Sequence, residues 1–204
     1  MNLVKMLPMA FVMIAGPQIL SAIFLVTSEN WRRNSLAYLT GASLSITAIV
    51  SIAFFLQIGV ANGGVSKDWI YVVLLVLLVY AAWHTYAKRK ESEPPKWMGK
   101  LQTATPGFSF KLGFLLLGVF PTDIITSIAV GSYLSSHGDP WWHFLPFLAL
   151  TLLFLGLPLI LVLVGGQRAA AFLPKARDWM NDNSWVVSEV VILFFIAITA
   201  NSLS

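Results

Sequence analysis

A single carboxylate stands just after a helix-breaking proline, in Phe120-Pro121-Thr122-Asp123, near the middle of an apolar stretch long enough to cross a bilayer. An ionisable group at that depth costs about 2.5 to 3.5 kcal/mol on insertion scales, so it marks a functional site by default. Proline removes a backbone donor and collides with the preceding turn, which bends or opens the helix and frees carbonyl oxygens. Freed groups are tolerated at depth only against protein or a wet cavity. Thr122, Thr126 and Ser127 cluster hydroxyls around the same break, and Gly16-Pro17-Gln18-Ile19-Leu20-Ser21 in the first apolar stretch is a weak counterpart. Asp123 therefore reads two ways. It is either a neutral carboxyl bonded to Gln18 or an open carbonyl as structural glue, or a protonatable or cation-binding carboxylate lining a pathway. Lys111 lies about three turns away along one helix, too far for a direct pair, and is expected to snorkel to the interface. Gln18 is the better partner.

Other chemistry finds little support. His84, His137 and His143 fall near opposite ends of their apolar stretches, so no pair of them is expected to hold a metal or haem at the midplane. The sequence has no HExxH, no Gly-rich phosphate loop and no nucleophile-elbow serine. It has no cysteine, which removes disulfides and thiolate chemistry together. No second carboxylate is expected beside Asp123, as an aspartate-based intramembrane enzyme would need. The segment His137-Gly138-Asp139-Pro140-Trp141-Trp142-His143 reads as a turn with an aromatic anchor before it reads as a metal site. The expectation is a non-enzymatic protein without a cofactor or resident metal.

The elements that must position these residues follow from composition. Apolar residues make up 57% of the chain and charged ones 11%, against about 25% charged in soluble domains. Six segments have the roughly 20-residue apolar length of a membrane helix: 3–26, 36–60, 67–87, 108–134, 141–164 and 185–203. Lys5 precedes an apolar run that is too long for a signal peptide and lacks a small-residue cleavage site, so this segment reads as a retained helix. With six spans, Lys5 and Lys67 fall on one side. The other side takes Arg32, Arg33, Lys88, Arg89, Lys90, Lys96, Lys100, Lys111, Arg168, Lys175 and Arg177. The positive-inside rule then puts both termini outside the cytoplasmic membrane and the basic loops in the cytoplasm. The positive charge is thus a matter of topology and of anionic-lipid contact through Lys88, Arg89, Lys90, Arg32 and Arg33, with no nucleic-acid partner. The basic segment 88–107 divides the chain into three-span halves, 1–87 and 108–204. Three spans per half make the halves face opposite ways, giving an all-α, 3+3 inverted repeat with helices 1 and 4 broken at Pro17 and Pro121.

Several secondary features fit that scheme. Ala37, Gly41, Ser45 and Ala48 form a small-residue face in the second span, read as a packing seam. Gly156 and Pro158 mark the fifth span as deformable. The stretch from Gly165 to Ser184 mixes Arg168, Lys175 and Arg177 with Phe172, Leu173, Trp179 and Met180, as an interfacial segment does. Trp69, Trp97, Trp141, Trp142 and Trp185 lie near span ends as anchors, and Glu189 is read as structural.

A resemblance covers nearly the whole chain. Trp31-Arg32-Arg33-Asn34-Ser35-Leu36-Ala37-Tyr38-Leu39-Thr40-Gly41 follows the Pro17 helix. Pro94-Pro95-Lys96-Trp97, Thr105-Pro106-Gly107-Phe108 and Gly113-Phe114-Leu115 then lead into Pro121. In order and content these resemble the GAP (peptidoglycolipid- or sulfolipid-addressing protein) family of the lysine exporter (LysE) superfamily. The resemblance implies a small three-plus-three transporter exporting a lipid conjugate or small solute, with membrane lipids as neighbours and a homo-oligomer or a partner membrane subunit as further options. The chain departs from the family where an Asn-Pro-Lys-like break is represented by Phe120-Pro121-Thr122-Asp123. An anion in place of a cation there favours proton or cation coupling through Asp123 over direct binding of an anionic lipid. A non-transporting accessory subunit and a cation channel are the rival readings.

Overall fold

The computed structural model describes residues 3–14, 17–57, 100–101 and 103–183, together with single positions between 76 and 87 and between 185 and 196. Every regular element among them is helical: α1 (Leu3–Ile14), α2 (Pro17–Val26), α3 (Trp31–Phe55), α4 (Pro106–Val119), α5 (Pro121–Ser136), a 3-10 turn (Trp141–Phe144) and α6 (Leu145–Asp182). Two helical stretches are long and apolar enough to cross a membrane, Trp31–Phe55 and Trp141–Gly166, and the bent pair α4–α5 makes a third if counted as one span. The expected first span is present as two short helices, α1 and α2. The segments 67–87 and 185–203 fall largely outside the described residues. The second span begins at Trp31 instead of 36, which puts Arg32 and Arg33 in its first turn.

The chain groups into two compact units. One comprises 1–62 and 96–174, and so draws residues from both sides of the basic segment 88–107. The other comprises 63–95 and 175–204; there Tyr80 faces Trp83 and His84, and Tyr86 meets the Trp185 ring edge-on.

In the first unit α3 is the centre, packed against α2, α4 and α5. Its buried positions include Asn34, Tyr38, Gly41, Ser45 and Ile46, a stripe at helical spacing. Lipid supplies no hydrophobic force between helices, so close backbone approach has to supply cohesion. Gly41 and Gly113 provide it reciprocally. A Cβ on Gly41 would overlap the Phe110 carbonyl oxygen, and one on Gly113 would overlap the Tyr38 carbonyl oxygen. Further along, Gly118 faces Ser45, and Gly131 of α5 lies against Val50 and Ala53. The small-residue face of the second span is therefore an internal seam, with Gly41 and Ser45 at its centre and Ala37 and Ala48 only half-buried.

Polar ties fix the ends of α3. The Asn34 amide, wholly buried, donates to Ser28 Oγ and to the Ala104 carbonyl, both at 2.8 Å. This holds the approach to α4 against the α2–α3 turn. Thr105 then caps α4, its hydroxyl accepting from the Phe108 N–H, with Pro106 at the first helical position. At the far end Trp141 Nε1 donates to Ser51 Oγ at 3.1 Å and its ring stacks with Phe55. Trp141 is thus a tie to α3 as well as a residue near a span end.

Two breaks shape the rest. Phe120 has an extended backbone (φ −66°, ψ 126°), as the residue before a proline must when the α region is closed to it. Helix α4 stops at Val119 and α5 leaves at 69° to it. In α6, by contrast, the helix runs through Pro158, and the break falls at Gly166 (φ 53°, ψ −132°), a conformation open essentially to glycine alone. Gly156 and Pro158, expected to mark this span as deformable, lie within its regular part. Beyond the break Leu173 packs with Val26 and Leu159.

Gly41→Ala tests the seam. It is expected to cost about 1–3 kcal/mol or more, as overpacking does, because the new methyl group meets backbone. Gly107→Ala, with nothing within 4 Å of the added Cβ, is the control and leaves thermal denaturation in detergent unchanged.

Candidate functional site

Both proline-initiated half-helices, α2 and α5, bring their first turns to one buried point. Gln18 is the second residue of α2 and Asp123 lies in the first turn of α5. Both side chains are wholly buried. Gln18 Nε2 donates to Asp123 Oδ2 at 2.6 Å, a short bond. Thr122 Oγ1 makes a long 3.4 Å contact with the other carboxylate oxygen. Tyr38 of α3, also buried, donates its hydroxyl to the Gln18 carbonyl at 2.9 Å, tying the central helix to the same point. Helix α1 packs against α5.

Most of the remaining polar groups here satisfy one another locally. Ser21 Oγ donates to the Pro17 carbonyl and Thr126 Oγ1 to the Thr122 carbonyl, both at 2.7 Å. The Phe120 carbonyl accepts from the N–H groups of Asp123 and Ile124. The carbonyls of Pro17, Gln18, Phe120 and Thr122, at or beside the breaks, are therefore all engaged. What stands without a partner is side-chain oxygen: Gln18 Oε1 and Ser127 Oγ, both buried.

The expected residues thus divide clearly. Gln18, Thr122 and Asp123 meet. Pro17 and Pro121 act by heading the two half-helices, and Thr126 spends its hydroxyl on its own helix. Ser127 lies one turn beyond Asp123 on the same face of α5. Arg32 and Arg33 are exposed at the start of α3, with the Arg32 guanidinium 4.9 Å over the Trp31 ring. Lys88, Arg89 and Lys90 lie outside the described residues. His137 stacks on Tyr133, and His143 Nδ1 stands 3.7 Å from Asp139 Oδ1, so this turn is held by its own contacts. A separate cavity of about 190 Å³, lined by Val26, Thr27, Ser28, Trp31, Val162, Leu173 and Pro174, opens beside the Gly166 break.

Tyr38 and Asn34 were missed as site and clamp residues. Their four-residue spacing, continued by Gly41 and Ser45, places them on one face of α3 and is the signal that could have found them.

Apolar helices with a buried polar junction at paired helix breaks define an integral membrane protein. The Sap, sulfolipid-1-addressing protein family matches residues 6–204, and the chain belongs to that family. No curated protein and no solved structure matches it.

Gln18→Leu removes the amide that faces the carboxylate and should cost about 1.5–3 kcal/mol, the worth of a hydrogen bond to a charged group. Gln18→Leu combined with Asp123→Leu should recover most of that loss. A double-mutant cycle by chemical denaturation in detergent reads the coupling.

Proposed function

We propose that this protein is a small exporter of the cytoplasmic membrane, of the three-plus-three kind found in the lysine exporter superfamily, which moves a lipid conjugate or small solute outward in exchange for protons carried on Asp123. Membership of a sulfolipid-addressing family supports a lipid conjugate as cargo. The carrying observation is the Gln18–Asp123 bond, which joins two proline-initiated half-helices inside the bundle. Transporters built from inverted repeats place their sites at such paired breaks. In this reading six spans put both termini outside and the basic loops, with Arg32, Arg33, Lys88, Arg89 and Lys90, against anionic headgroups of the inner leaflet. The protein is not an enzyme and uses no cofactor.

The mechanism follows from what the bond does. With the carboxylate ionised, the Gln18 amide holds α2 to α5. Protonation weakens the attraction for an N–H donor, and the two half-helices are then free to part. A proton can bias the bundle only through such a difference between states. Tyr38 keeps α2 attached to α3 through the Gln18 carbonyl meanwhile, and Gly131 keeps the body of α5 on α3, so the movement is expected at the two first turns.

The rival accessory-subunit reading needs the small-residue face of α3 to be open to a partner. Gly41 and Ser45 are covered by α4, which favours the exporter. A channel would instead pass current in planar bilayers.

The test is proton flux into liposomes for wild type and Asp123→Asn, with amino acids, divalent metals and labelled anionic lipids added one class at a time. Flux that requires one class and falls at least tenfold in the variant is expected. A pH-independent transport rate that survives Asp123→Asn overturns the coupling role. No flux with any class, from a folded protein, overturns the exporter reading in favour of an accessory subunit.

A further inference from the structure

Asp123 is a wholly buried acid with little to balance it. It accepts one short bond from Gln18 and one long contact from Thr122, and among the residues whose side chains are described no lysine or arginine pairs with it. An isolated buried charge is costly unless it is paired. The backbone offers little help at this break, because the carbonyl end of α4 and the amide end of α5 fall together at Phe120 and their partial charges oppose each other. Tyr38, the titratable side chain that α3 brings to the junction, has its hydroxyl proton on the Gln18 carbonyl. Balance has to come from a proton or from a cation.

The unpartnered oxygens bear on the second. Gln18 Oε1 and Ser127 Oγ are buried and accept or donate nothing. The first belongs to the same amide that already touches the carboxylate, so it cannot lie outside the junction. The second sits one helical turn from Asp123 on the same face of α5. A proton on the carboxylate can be donated to Gln18 Oε1 once the amide is turned over, but it leaves Ser127 Oγ as it is. A metal cation engages several oxygens at once, and Thr122 Oγ1, held only by its 3.4 Å contact, is free to join them.

We infer that the junction also binds a small monovalent cation of sodium size, held by oxygens of Asp123, Gln18, Thr122 and Ser127; this rests on the coupling role proposed for Asp123 and makes sodium a competitor of the proton for the same carboxylate. Hard oxygen donors suit a hard cation. One carboxylate sets the charge at one, since a divalent ion would leave a buried net positive centre. Rotation of the Gln18 amide about its last bond turns Oε1 toward the carboxylate, so the ion takes over the link that the N–H now makes between α2 and α5. Ion occupancy and closure of the two half-helices become the same event.

The experiment is binding of radioactive sodium to the purified chain in lipid nanodiscs, at fixed pH and with choline chloride holding ionic strength constant. Saturable binding is expected, displaced by unlabelled sodium but not by choline or magnesium. It should be lost in Asp123→Asn and weakened at least tenfold in Ser127→Ala. Because Ser127 Oγ bonds nothing, Ser127→Ala keeps its fold and its thermal stability in choline, which separates a ligand from a structural hydroxyl. A folded wild type without saturable sodium binding, or one whose affinity is unchanged in Ser127→Ala, overturns the inference. Proton-coupled export without sodium binding would overturn this site alone and leave the exporter standing. Sodium binding without any flux would do the reverse.

Discussion

One hydrogen bond between residues 105 positions apart, Gln18 to Asp123, connects the starts of two proline-headed helices. Its importance comes from the solvent. In a bilayer, apolar side chains gain little by leaving lipid for one another, so polar bonds and backbone contact decide which helices stay together. A buried carboxylate must find donors, and the first turn of α2 supplies one. Because both partners sit at the start of proline-headed helices, the bond fixes the directions of two segments as well as their separation.

Helix α3 is the frame for that contact. A single stripe on its surface carries Asn34, Tyr38, Gly41 and Ser45, and these touch in turn the approach to α4, the backbone of α2, and then α4 twice. The reciprocal contact of Gly41 and Gly113 lets two backbones meet, which makes α3 and α4 a rigid pair. Helix α5, set at 69° to α4 across Phe120, returns to the same frame through Gly131, which lies against Val50 and Ala53.

Much of this was legible in the residues. The break at Pro121 follows from what a proline does to the residue before it, and Gln18 was recognisable as the partner because the first span offers little else that is polar at the matching position. The seam on α3 was readable from small residues at helical spacing. Tyr38 was not, since its partner is a backbone carbonyl, and no side-chain pattern advertises one. Gly156 and Pro158 marked the fifth span as deformable, and the break in α6 lies beyond them at Gly166. Proline restricts a helix by a rule that the surroundings can absorb, whereas φ 53° with ψ −132° is a conformation that only the local fold selects. The family was legible from the order of its short motifs, and its match over residues 6–204 agrees.

The most direct test is solid-state NMR of the protein in lipid bilayers, recoupling the side-chain nitrogen of Gln18 with the side-chain carboxyl carbon of Asp123 after selective 15N and 13C labelling. A dipolar coupling of hydrogen-bond range, abolished by Gln18→Leu, is the predicted result. Resolved signals from both side chains with no coupling between them would mean that the two breaks do not meet, and the account of the junction would be wrong.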